Sequence, residues 1–263
     1  AASAHASPVV YDVRTGLDKS ILGFVPTPSI WSVSAATQTG EDNWWYRYDT
    51  TAMGWWTPPQ GAALTLDAAG PTAYPLMGYA GNDTRSSSYG KQGWAWYGST
   101  GNDPLGYVTN FKIDKDSGTA ADAIWMSGTN NTQNASRRIA LEWKATEAGT
   151  ADVAFEIDNG TNGSTNGYEL HLFVWDDSES MWTNHSWIAP TEAGKHTIAD
   201  TGLALDAGDS IFLFMNWRNT GGAGYSANRQ LSGGVTFTAS SGGPAGRDPR
   251  AGHDAPAGPG RPG

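Results

Sequence analysis

Ala151-Asp152-Val153-Ala154-Phe155-Glu156-Ile157-Asp158 is the stretch whose period decides the fold class. Side chains two residues apart share one face of a strand, so Val153, Phe155 and Ile157 fall on one side and Asp152, Ala154, Glu156 and Asp158 on the other. That is a half-buried strand with a polar outer face. Downstream, Tyr168 to Trp175 places Tyr168, Leu170, Leu172 and Val174 on a common face. Asp176-Asp177-Ser178-Glu179-Ser180 supplies turn residues, and Met181 to Ile188 returns, which predicts a hairpin. Ser210 to Trp217 is an almost unbroken apolar run behind the turn Ala207-Gly208-Asp209, the pattern of a central strand covered on both faces. Ile139 to Lys144 and Gly233 to Ala239 alternate in the same way. In the first half, Val9–Val13, Ile30–Val33, Trp44–Tyr48, Ala63–Leu66, Gly93–Tyr97 and Tyr107–Phe111 are shorter strand candidates. Helix signals are confined to Thr119–Met126 and Ala145–Ala148, both too short to be amphipathic helices. The expected class is all-β, an antiparallel β-sandwich of jelly-roll type with long Gly/Asn-rich loops.

Composition narrows the function classes. The 263 residues contain no Cys, 13 Trp and 34 Gly, carry a formal charge of -10 and are 16% charged. Without cysteine there is no disulfide, thiolate metal site or thiol nucleophile. An acidic chain is poorly suited to a nucleic-acid backbone, so no nucleic-acid partner is expected. No apolar run of about 18 residues exists, so no membrane span is expected either. Ala4-His5-Ala6 has the small-x-small form read by signal peptidase, which makes residues 1–6 a candidate signal-peptide remnant and points to an extracellular protein. Residues 241–263 hold 7 Gly and 5 Pro and no Val, Ile, Leu or Phe, and read as a disordered tail or linker. Residues 7–240 then read as a single sandwich domain.

Aromatic excess is the main functional signal. Sugar rings present apolar C–H faces that stack on flat aromatic side chains, with amides and carboxylates binding the hydroxyls around them. Trp44/Trp45 and Trp55/Trp56 are adjacent pairs, and alternation turns one member of each outward. Trp94 and Trp96 share a face with Tyr97 opposite, while Trp182 and Trp187 flank Asn184 and His185. Trp45, Trp56, Trp96, Tyr97, Trp182 and Trp187 are therefore the candidate ligand-binding residues, against the alternative that bulky rings fill the sandwich core. The loop from Asp158 to Gly167 is dense in oxygen ligands and glycines. It makes Asp158, Asn159 and Asn162 candidates for a structural calcium, although the spacing is not that of an EF-hand. Glu156 and Asp158 share a strand face but lack a third acid, so they read as a solvated face, as do Asp176, Asp177 and Glu179 at the hairpin tip. The five histidines have no zinc-type spacing. His171 beside Glu169 could serve a lyase or hydrolase, or sit as a satisfied structural histidine.

Four features then stand in a recognisable order: Trp44-Trp45-Tyr46-Arg47-Tyr48; Arg137-Arg138-Ile139-Ala140-Leu141-Glu142-Trp143 followed by Ala148-Gly149-Thr150-Ala151-Asp152-Val153; Gly167-Tyr168-Glu169-Leu170-His171-Leu172; and Leu205-Asp206-Ala207-Gly208-Asp209-Ser210-Ile211-Phe212-Leu213. Over roughly residues 40–240 this order resembles the jelly-roll accessory modules, carbohydrate-binding-module-like, of secreted bacterial proteins. The sequence departs from them after the late strand, where Gly221-Gly222-Ala223-Gly224-Tyr225-Ser226 carries no acid. The resemblance implies a secreted, non-catalytic domain that binds or organises extracellular polysaccharide through exposed aromatics. Two other readings stand beside it: a jelly-roll glycan hydrolase or lyase, and an exported matrix protein with no ligand site.

Overall fold

The computed structural model describes residues 6–21, 31–33, 38–49, 74–75, 77–82, 89–97, 109–115, 121–130, 138–159, 168–189, 192–217 and 225–240. In chain order the strands are β1 (Val9–Asp12), β2 (Trp31–Val33), β3 (Trp44–Asp49), β4 (Tyr74–Pro75), β5 (Met77–Asn82), β6 (Tyr89–Tyr97), β7 (Thr109–Lys115) and β8 (Ala123–Asn130). They continue with β9 (Arg138–Lys144), β10 (Gly149–Asp158), β11 (Tyr168–Asp176), β12 (Met181–Ile188), β13 (Lys195–Leu205), β14 (Ser210–Trp217) and β15 (Tyr225–Ala239). Among the described residues there is one α-helix, α1 (Val13–Ser20), directly after β1.

The strands form two antiparallel sheets. β1, β15, β10 and β13 lie side by side in one sheet, with β13 at its edge, and β9, β14, β11 and β12 lie side by side in the other, with β12 at its edge. From β9 onward the chain crosses between sheets at every connection except the β11–β12 hairpin, which is the strand order of a jelly roll. The fold is thus the all-β sandwich expected. The strands between β1 and β9 widen both sheets: β8, β7, β6, β5 and β2 continue the first, β3 and β4 the second.

Alternation explains which faces are buried. β10 is buried at every second residue, with Val153, Phe155 and Ile157 inside and Asp152 and Ala154 exposed. The rings of Trp44, Trp143, Phe155 and Tyr168, each within 1% of complete burial, fill the space between the sheets. Trp143 tilts against Tyr11 at 5.1 Å and Phe237 at 5.3 Å, so a β9 ring clamps two strands of the opposite sheet. β11 behaves differently: residues 168–175 are buried on both faces. β14, expected as a central strand, lies between β11 and β9 and is likewise buried from Ser210 to Met215.

Several sequence expectations required correction. Val13 was expected to end a strand, but Asp12 ends β1 and caps α1, its carboxylate accepting from the backbone N–H of Arg14 and Thr15 at 2.9 Å each. Gly16 in the middle of that helix obscures its pattern. It is there because Trp44 packs against it: a Cβ would lie 2.2 Å from Trp44 Cδ1. The Thr119–Met126 stretch, expected to be too short for an amphipathic helix, is in its described part a turn at Ala121-Asp122 that enters β8. β13 was missed because a bulge at Thr201-Gly202 breaks its alternation. Gly202 has φ +70° there and donates its N–H to Asp152 at 2.8 Å. Ala63–Leu66 and the Trp55/Trp56 pair lie outside the described residues.

Candidate functional site

The outer face of the six-stranded sheet collects most of the chemistry. Register places Trp187, His171, Phe214, Ala140 and Arg47 in one row across β12, β11, β14, β9 and β3. The next row is Asn184, Phe173, Phe212, Glu142 and Trp45, and a third begins with Trp182, Trp175, Ser210 and Lys144. Its centre is an aromatic layer. Phe212 and Phe214 stack at 5.5 Å, and Trp182 reaches over them from β12, 5.1 and 6.0 Å from their rings. Phe173, Trp175, Phe212 and Phe214 are all within 5% of full burial.

Two polar groups border this layer. Glu142 Oε2 accepts from Arg47 Nε at 2.8 Å, and its Oε1 accepts from Ser210 Oγ at 2.9 Å. The Arg47 guanidinium lies over the Trp45 ring, 5.1 Å from its centre. On the other side Glu169 Oε2 and His171 Nε2 are 2.9 Å apart, both residues fully buried. The His171 ring runs nearly parallel to Phe173 and to Trp187, with centroids 6.2 and 6.1 Å away and planes 21° and 17° apart.

Among the described residues Trp187 is the most exposed aromatic. It is 39% exposed, against 5% for Trp175 and 1% for Trp44. With Ile188, Ala189, Lys195, His196 and Thr197 it lines an open groove of about 550 Å³ between the edge strands β12 and β13. A bulge in β12 at His185 lies just before Trp187, and His185 Nδ1 meets Asp200 Oδ2 of β13 at 2.8 Å, joining the two walls. The Lys195 ammonium holds Glu156 Oε1 at 2.6 Å, and that bond and the carboxylate charge raise its pKa.

The other candidate residues fall in different settings. Trp45 turns away from the core but is half-buried, its ring against Gly40. Trp182 belongs to the aromatic layer. Trp96 and Tyr97 end β6, paired with Phe111 and Thr109 of β7, and their side chains lie outside the described residues, as do Trp56 and Asn162. Asp158 ends β10 opposite Lys195. Asn159 is buried, and its Oδ1 accepts from the Tyr168 hydroxyl and from Arg229 Nε at 3.0 Å, while its Nδ2 donates to the Glu192 carbonyl at 2.7 Å. The oxygen a calcium ion would take from Asn159 is committed to two donors, one of them a guanidinium. Asn159 therefore ties β10, β11 and β15 together. Among the described residues no three His, Asp or Glu side chains converge as a metal site. The His196–Thr197 wall was not anticipated, because the strand carrying it was not.

No protein-family profile matches the chain, and no curated protein matches it. Solved structures that match include carbohydrate-binding modules. CBM61 from a complex with β-1,4-galactotriose is 13% identical, covering 49% of this chain and 81% of its own, with a TM-score of 0.30. CBM28, described as specific for non-crystalline cellulose, is 8% identical, covering 49% and 82%, with a TM-score of 0.29. A structure of infectious bursal disease virus, Gx strain, covers 80% of this chain and 55% of its own at 13% identity and a TM-score of 0.33.

Proposed function

We propose that residues 7–240 act as a non-catalytic extracellular domain that binds polysaccharide in the groove between β12 and β13. The observation that carries this reading is Trp187: an exposed indole, held parallel to a buried imidazole, lining an open groove whose other polar residues are Lys195, His196 and Thr197. A flat ring of that kind matches the apolar face of a sugar. The lysine, histidine and threonine supply donors and acceptors for its hydroxyls. The groove is open rather than enclosed, which suits a segment of a longer chain.

The hydrolase reading has less support. Glu142 and Glu169 share the outer face of the second sheet, but β14 separates their strands and they sit two rows apart. Strand spacing across two strands and the rise over four residues put their α-carbons roughly 17 Å apart. Both are buried, Glu142 is bound at both oxygens, and neither lines the groove.

A glycan-array screen followed by titration on the intrinsic tryptophan fluorescence tests the reading. Binding to at least one polysaccharide is expected, and Trp187→Ala should weaken it at least tenfold, the loss typical of a central aromatic contact. The thermal midpoint should move by no more than about 2 °C, since the ring is at the surface. Absence of binding to every polysaccharide, or full affinity in Trp187→Ala, would overturn it.

A further inference from the structure

Glu169 and His171 stand out as a fully buried ionisable pair on the outer face of a sheet, next to the exposed Trp187. They follow from Tyr168-Glu169-Leu170-His171-Leu172, where alternation sends the two apolar side chains inward and the pair outward. Burying two such groups is costly unless they satisfy each other, and the 2.9 Å contact does so at His171 Nε2. His171 Nδ1, also buried, has no hydrogen-bond partner. The imidazole is therefore anchored at one nitrogen only, by Glu169, and is otherwise flanked by Phe173 and Trp187.

Packing against flat rings defines the last side-chain torsion of an imidazole, whose rotamers are broad, less sharply than a directed hydrogen bond does. A single hydrogen bond at Nε2 sets the plane of the ring. Trp187 is the cross-strand partner of His171 and lies 17° from parallel with it. The plane that Glu169 imposes on His171 is thus passed to the indole. We infer that Glu169 and His171 are positioning residues that fix the Trp187 ring, before a ligand arrives, at the tilt a sugar face requires. This rests on the binding role proposed for Trp187. A ring already held in place loses less freedom on binding, so the pair raises affinity without touching the ligand.

The experiment separates affinity from stability and reads Trp187 directly. In protein labelled with 5-fluorotryptophan, the ¹⁹F resonance of Trp187 is assigned as the one absent from Trp187→Phe. The double variant Glu169→Leu/His171→Phe replaces the polar pair by apolar side chains while keeping a flat ring beneath the indole. Such exchanges are often neutral or stabilising, so a folded protein is expected. The inference predicts a shifted or broadened Trp187 resonance and polysaccharide binding weakened about three- to tenfold, with a thermal midpoint no lower than wild type. Single Glu169→Gln, which keeps an acceptor oxygen for Nε2, should recover most of the lost affinity and the wild-type resonance. An unchanged resonance and affinity in the folded double variant would refute positioning and leave Trp187 as the binding residue. A wild-type protein that binds no polysaccharide would remove the binding role, while the resonance still reports whether the pair holds the ring. If the double variant fails to fold, Glu169→Gln decides: a displaced Trp187 resonance with the acceptor retained counts against the inference.

Discussion

The two sheets of the sandwich share a core but present opposite outer surfaces. On the first sheet β10 turns Thr150, Asp152 and Ala154 to solvent, and β13 turns out Thr197, Ala199 and Ala204. On the second, the equivalent side of β11 and β14 holds His171, Phe173, Trp175, Phe212 and Phe214, all at or below 5% exposure. β10 and β13 are half-buried while β11 and β14 are buried on both sides, although both pairs are antiparallel and adjoin the same core. The difference places the rings of the second sheet in packing and leaves Trp187 exposed at its rim, where β12 ends.

This contrast can be broken by substitution. Phe212→Ala, on the outer face of the second sheet, should cost about 4 kcal/mol, as much as a core ring. A denaturation midpoint close to wild type would show that this face is not a second packed layer. The first sheet is sensitive at its backbone instead. Gly233 has φ +100°, and a Cβ there would lie 2.1 Å from the Ala154 carbonyl oxygen. Gly233→Ala should therefore cost about 3 kcal/mol through strain and overlap, measured by urea unfolding.

Alkaline pH probes the inner side. Burial raises the pKa of Tyr46 well above its ordinary value of 10.0. The unfolded tyrosine ionises near 10 while the folded one keeps its proton, so this contribution is intact below that pH and is lost as pH rises beyond it. Stability should fall by about 1.4 kcal/mol per pH unit for such a group, and Tyr46→Phe should flatten the slope between pH 10 and 11.5. At the small end, Ala154→Ser on the exposed face of β10 should change stability by less than about 0.5 kcal/mol. A larger loss would mean that the first sheet also has a covered outer surface.

Much of this architecture is written in local patterns, and the parts that are not have specific causes. Ala151–Asp158 and the Tyr168–Ile188 hairpin announce themselves because one face of each meets the core and the period is unbroken. α1 is hidden by Gly16, a poor helix residue retained for the approach of Trp44 across the fold. β13 is hidden by a bulge. At the site, alternation identifies Trp187 as a surface candidate but gives the same reading for Trp182, whose ring turns back over Phe212 and Phe214. Nothing in a linear pattern shows that His171 lies against Trp187, because their adjacency comes from the register of a bulged hairpin.

The strand β15 has a further consequence, which concerns time. It bonds along one edge to β10 and along the other to β8 and then β1, pairing Phe237 with Val9. Because it follows all of these in the chain, it leaves the ribosome after every strand it joins. Until then the first sheet lacks the strand that links its two halves, and the contacts that complete it span most of the chain. Such distant pairings make for slow assembly, on the order of milliseconds to seconds or longer. The nascent chain should accordingly keep this sheet incomplete, and within reach of chaperones, until β15 is made.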